Sequence, residues 1–157
     1  MIKRALASAD VPSILEPAGL TRRDGKRPDG LTLIPWKEGR CLVWDFTCSD
    51  TVAQSHLQGT ARAAGAAAET AELRKFTHYE DLAVDYIIAP VAIETLGAMG
   101  PATEKFIGEL SKRLISVIGD KKAGFYFRQR LSIAIQRGNC LSVLGTMDKG
   151  DALLVDW

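Results

Sequence analysis

Apolar positions recur along the chain with two alternating periods, and each change of period marks an element. Ile2, Leu6 and Ala9 carry helical spacing, and Pro12-Ser13-Ile14-Leu15-Glu16-Pro17 reads as a short strand between prolines. Residues 21–30 are polar and hold two Asp-Gly pairs, the composition of a loop. Two runs rich in β-branched and aromatic residues follow, Leu31 to Trp36 and Arg40 to Cys48, separated by Lys37-Glu38-Gly39, and this pattern predicts a hairpin. A helical turn is expected over Val52 to Leu57. An Ala-rich helix then runs from about Thr60 to Leu82, weakened at Gly65.

Tyr86 to Thr95 is apolar and β-branched, which predicts a buried strand with Pro90 at an edge or bulge. Pro101 suits a first helical position, and Phe106, Leu110 and Leu114 form the apolar stripe of a helix ending near Gly119. The last helix, from about Lys122 to Leu144, is expected to turn Phe125, Leu131, Ile135 and Leu141 or Val143 inward. Arg128, Arg130, Gln136 and Arg137 then occupy its other face. This order predicts an α/β fold with a mixed β-sheet, a central hairpin and flanking helices.

The chain has 157 residues, 46% of them apolar and 25% charged. Such a composition excludes disordered, collagen-like and coiled-coil classes and fits a single domain over 1–157, with a core of about 12–145 and a loosely attached tail at 146–157. No apolar run approaches the roughly 20 residues a membrane span needs. The first residues lack the apolar stretch of a secretion signal, and Cys41, Cys48 and Cys140 form no C-x-x-C pair. An intracellular protein with reduced thiols, each packed as a small buried apolar group, is therefore expected.

The net charge of +1 conceals an uneven distribution: +3 over residues 1–40, −5 over 41–100 and +5 over 101–150. Basic flanks around an acidic centre suit a polyanion handled beside a cation. Within the centre, side chains alternate along the strand, so Val43, Asp45 and Thr47 share one face. A turn centred on Lys37 or Glu38 pairs residues whose numbers add to 74 or 76, so that Asp29 faces Asp45 or Thr47. Both aspartates then share a face within about 4.5–8 Å of each other.

Two adjacent carboxylates need a cation between them. A hard divalent ion, Mg²⁺ or Mn²⁺, fits such a pair, completing its shell with water and phosphate oxygens. Lys75 and Tyr79, spaced i, i+4 on the following helix, share a face that could lean over the hairpin. There Lys75 could stabilise hydroxide or developing charge, with Tyr79 positioning it or a phosphate. Taken by themselves, Glu72, Lys75 and Tyr79 read as an exposed helix surface.

Arg27-Pro28-Asp29, the hairpin, Asp45 with Thr47 beyond it, and the helix bearing Lys75 and Tyr79 resemble the PD-(D/E)XK, or restriction-like, nuclease core. The succession from Asp24-Gly25-Lys26-Arg27-Pro28-Asp29-Gly30 through Val43-Trp44-Asp45-Phe46-Thr47-Cys48 is similar to the endonuclease domain of site-specific non-LTR retrotransposon polyproteins. Further likeness lies at Pro90 to Gly97 and Gln129 to Asn139. The resemblance implies a restriction-endonuclease-like fold and a metal-dependent DNA endonuclease leaving 5′-phosphate and 3′-hydroxyl ends. It makes Asp29 and Asp45 the metal ligands, Lys75 the displaced catalytic lysine in place of Thr47, and Tyr79 its support. A reverse transcriptase is then a partner and the nucleus the expected location. The family's histidine-bearing and zinc-binding segments and its polymerase are absent from the sequence, which implies a detached copy. The basic loop at Arg22, Arg23, Lys26 and Arg27 and the last helix at Arg128, Arg130 and Arg137 are the candidate DNA contacts. Two other classes compete: an inactive remnant that binds nucleic acid, and a small structural or protein-binding α/β domain.

Overall fold

The computed structural model describes residues 1–20 and 25–146. Arg22 and Arg23 of the basic loop, and the tail beyond residue 146, lie outside the described residues.

Helix α1 (Ile2–Ser8) leads into three antiparallel strands, β1 (Ser13–Leu15), β2 (Gly30–Thr32) and β3 (Leu42–Ser49). A single helical turn, α2 (Leu57–Thr60), and helix α3 (Ala66–His78) cross to β4 (Ile87–Glu94), which pairs parallel to β3. Helices α4 (Pro101–Ile118) and α5 (Ala123–Thr146) complete the fold. The sheet runs in the order β1-β2-β3-β4, so the expected mixed α/β arrangement is found, with β3 inside and Pro90 on an edge strand.

The hairpin departs from a continuous ladder. Glu38 and Gly39 both adopt left-handed backbone (φ 53° and 72°), a two-residue turn closed by the Lys37–Arg40 bridge. Residues 33–36 then leave the ladder, because Pro35 has no N–H to offer and the Thr32 hydroxyl takes over, donating to Ile34 O and accepting from Leu42 N. Strand β2 is accordingly shorter than the expected Leu31 to Trp36.

The long Ala-rich helix is likewise shorter than its sequence suggests. Gly65 sits at φ 87°, and a Cβ there would lie 2.7 Å from Met99 O, so the chain turns at Gly65 and α3 begins after it. Beyond Tyr79, residues Glu80–Val84 tighten into a 3₁₀ turn.

Alternation along β3 and β4 divides the interior in two. Leu42, Trp44, Ala89, Val91 and Ile93 face α1, α4 and α5 in the main apolar core, with Phe106, Ile107, Leu110 and Leu114 of α4 packed on them. Val43, Asp45 and Ala92 turn to the opposite side, the side of α3. On α5 the buried stripe is Ala123, Phe127, Leu131 and Ile135. Phe125 is 63% and Leu141 70% exposed, and Val143 is exposed too. Leu131 and Ile135 of the expected inward set are thus buried, whereas Phe125, Leu141 and Val143 are not: Phe125 lies two residues, about 200° of helix, from Phe127, which takes the core position.

Candidate active site

Asp29 stands at the mouth of β2, where Gly30 has no side chain for a physical reason. A Cβ at Gly30 would fall 2.0 Å from the Trp44 indole, so the ring lies directly across the strand. The Asp29 carbonyl accepts from Glu16 N (2.9 Å), and its carboxylate Oδ2 accepts from Phe46 N (2.7 Å). Asp29 is thereby tied to the continuation of β1 on one side and to β3 on the other. Gly30 pairs with Trp44 and Leu31 with Val43, so residue numbers add to 74, and the next pair in that register is Asp29 with Asp45.

Asp45 is 7% exposed and forms an ion pair through Oδ2 with Lys75 Nζ. Pro90 is its neighbour on β4. The structure thus brings Asp45 and Lys75 into contact, and it anchors the Asp29 carboxylate on the residue next to Asp45. Thr47, two residues along the same face, is half-buried.

Lys75 reaches Asp45 because two buried carboxylates fix the helix that bears it. Helices α3 and α4 both begin after a glycine, Gly65 and Gly100, and neither has a side-chain cap of its own. Glu94, at the end of β4, accepts from Ala67 N (2.9 Å) at the start of α3. Glu72, one turn before Lys75 and 3% exposed, accepts from Ala102 N (3.0 Å), Thr103 N (2.7 Å) and Thr103 Oγ1 (2.6 Å) at the start of α4. Each glutamate supplies from a distance the acceptor that an N-cap residue supplies locally, and its charge matches the helix dipole.

The stripe that reads by itself as an exposed surface is therefore an inner one. Tyr79 is buried, edge-on to the His78 ring at 4.6 Å, and its N–H ends α3 on Lys75 O (2.9 Å). A helix opening on glycine without Ser, Thr, Asp or Asn lacks a local acceptor for its first N–H groups, but nothing in the sequence names Glu72 or Glu94 as the remote one.

Among the described residues no group of three or more His, Cys, Asp or Glu side chains is arranged to hold a metal. Asp29 and Asp45 are two carboxylates, and Mg²⁺ needs only one or two, completing its shell with water and phosphate oxygens. In this arrangement Lys75 already pairs with one Asp45 oxygen, Oδ2, and an added cation would share the carboxylate with the ammonium.

The candidate phosphate contacts separate. Lys26 is exposed, while Arg27 is paired with Glu16 and Arg128 with Glu104 (2.9 Å). Arg130 and Arg137, seven residues apart on α5, share a face that is exposed. The thiols also differ from expectation: none is fully buried, and Cys48 and Cys140 are exposed, all three without a disulfide. Partial burial pushes the Cys48 thiol pKa up, and the Asp50 carboxylate adds to that.

No helix among the described residues is long and apolar enough to cross a membrane. No family model matches the chain, and no curated protein matches it by sequence.

Proposed function

We propose that this protein is a metal-dependent DNA endonuclease with a restriction-like core, in which Asp29, Asp45 and Lys75 form one catalytic centre. The observation that carries the reading is the Lys75–Asp45 ion pair: a lysine from α3 meets a nearly buried aspartate whose strand neighbour already holds the second aspartate. Asp29 and Asp45 would hold the ion, Mg²⁺ or Mn²⁺, which when bound supplies charge neutralisation at the scissile phosphate and an acidified water. The Lys75 ammonium, anchored by Asp45, stabilises the hydroxide nucleophile and the charge that develops on the phosphoryl oxygens. Buried Tyr79, one turn on, packs at the end of α3 and fixes where the Lys75 segment stops. Hydrolysis leaves a 5′-phosphate and a 3′-hydroxyl, the end that a reverse transcriptase of a mobile element extends. Such a substrate makes the nucleus the place of action.

One observation favours a second reading. The Lys75–Asp45 pair is already mutually neutralised, which is what a structural ion pair requires, and a protein that only binds nucleic acid would keep it for that purpose. Conversion of supercoiled plasmid to the nicked form with Mg²⁺ or Mn²⁺ separates the two. The endonuclease reading expects nicking by the wild type and its loss in Asp45→Ala. No nicking by wild type with either metal, or equal nicking by the variant, contradicts it.

A further inference from the structure

Across the sheet from Asp45, helices α1, α4 and α5 enclose a cleft of about 390 Å³, within the range of small-ligand sites, about 300–1,000 Å³. Its floor is apolar, with Ala5, Leu114 and Phe127. Its rim carries Arg4 from α1 and Arg130 and Tyr126 from α5. Among the described residues no carboxylate pairs with Arg4 or Arg130. Asp120, the one acid on the rim, is occupied with Lys122 N (2.8 Å).

The helices on either side of this cleft are one-signed. Residues 2–8 hold Lys3 and Arg4, residues 123–146 hold Arg128, Arg130 and Arg137, and neither segment contains an Asp or Glu. Tyr126, Arg130 and Arg137 follow one another on a single face of α5 at spacings of four and seven, and the last two are about 10 Å apart along the helix. An exposed aromatic ring beside a row of guanidinium groups that pair with no carboxylate among the described residues is the combination that holds single strands, with bases stacking on the ring and phosphates following the cations.

From this we infer that the α1–α4–α5 cleft and the Tyr126–Arg130–Arg137 face of α5 form a binding track for single-stranded nucleic acid, separate from the Asp45 centre. The class of partner and the part of Arg130 and Arg137 rest on the nucleic-acid reading above; the cleft, the strandedness and the roles of Arg4 and Tyr126 do not follow from it. Charge complementarity selects the occupant. A second copy of this face would set Arg130 and Arg137 against their own kind, whereas a phosphate backbone neutralises them.

Fluorescence anisotropy of a labelled oligothymidylate, titrated with the whole chain in chelator, tests this without any cutting. Wild type is expected to bind with an affinity that falls with salt. Tyr126→Ala is expected to weaken binding about fivefold or more, the loss of one stacked base. Arg130→Ala is expected to weaken binding and to lower the slope of log affinity against log salt by about 0.7, one phosphate on a single strand. Arg4→Ala is expected to act in the same direction, and Arg62→Ala, an exposed arginine outside the cleft, to change nothing. Circular dichroism of each variant verifies the fold, which these exposed side chains do not support. Absence of binding by wild type, or wild-type affinity and salt slope in both Tyr126→Ala and Arg130→Ala, overturns the inference. Displacement of the oligonucleotide by polyglutamate at equal charge also overturns it, in favour of an acidic protein surface. Binding retained without plasmid nicking counts against the endonuclease alone; nicking retained with insensitive cleft variants counts against the track alone.

Discussion

Glu72 is the residue on which the position of Lys75 most depends, and its replacement can be worked through from the contacts. Glu72→Ala removes the acceptor of three donors at the start of α4, Ala102 N, Thr103 N and Thr103 Oγ1. Thr103 is fully buried, so its N–H is left without water, whereas its hydroxyl can still donate to Ala92 O (3.1 Å). One stranded amide costs about 1–3 kcal/mol and loss of the charge at the helix end about another 0.3–1 kcal/mol. The half-buried Ala102 amide adds a smaller amount, for a sum near 3 kcal/mol. In a chain of this length that corresponds to a melting temperature lower by about 6–12 °C.

The informative partner is Gly100. A Cβ there would lie 2.3 Å from the Glu72 carboxylate, while the backbone (φ −72°, ψ 160°) is already that of an N-cap. Gly100→Ser is therefore expected to destabilise the wild type by about 1–3 kcal/mol through overpacking. In the Glu72→Ala background the same substitution finds the space empty and supplies a local cap, recovering about 1 kcal/mol. Thermal and urea denaturation of the four proteins followed by circular dichroism measures both effects. A Gly100→Ser effect of the same sign and size in the two backgrounds refutes the remote-cap reasoning, as does a Glu72→Ala melting temperature within about 2 °C of wild type.

Other outcomes follow from neighbouring contacts. Gly30→Ala drives a methyl group into the Trp44 ring and is expected to destabilise the fold by about 3 kcal/mol or more, with a red-shifted tryptophan emission as the readout. Lys75→Met leaves Asp45 buried without its ion partner; Lys75 keeps 29% side-chain exposure, so the expected cost is near the low end of about 3–5 kcal/mol, and Asp45→Asn in the same chain should recover part of it in urea denaturation. Because the Cys48 pKa is raised, its thiolate fraction at mildly alkaline pH is smaller in the folded protein than in the unfolded one. Mass spectrometry should accordingly show iodoacetamide labelling of Cys48 to be slower before unfolding than after, and Asp50→Asn should recover only a minor part of the difference, burial being the larger cause.

Much of the fold is legible in hydrophobic period and in the placement of proline and glycine: β3 and β4, the Pro101 start and Gly119 end of α4, and the edge position of Pro90. The β2–β3 register of 74 was also among those expected, but it arises differently. The turn sits at Glu38-Gly39, where the bridging numbers add to 77, and the excursion of residues 33–36 restores 74 in the ladder. A local turn rule cannot see that compensation, since it depends on the Thr32 hydroxyl and Leu42 N meeting in space. On α5 the inward positions Leu131 and Ile135 were legible, but Phe125 was chosen over Phe127 because the two are equally apolar and only packing against α4 chooses between them. For the site, the register of 74 found in the β2–β3 ladder makes Asp29 and Asp45 its next pair, and helical spacing offered Lys75, which meets Asp45. Glu72 and Glu94 were not legible as caps: each serves a helix 30 or 27 residues away, and no local pattern encodes such a contact.

The claim that Asp29, Asp45 and Lys75 act as one centre is tested most directly by single-turnover plasmid nicking of wild type, Asp45→Asn, Lys75→Met and the double variant, under conditions where all four remain folded. A shared centre predicts losses of at least about 100-fold in each single variant, with the double variant no slower than the worse single one. Losses that multiply, or a Lys75→Met rate equal to wild type, contradict it.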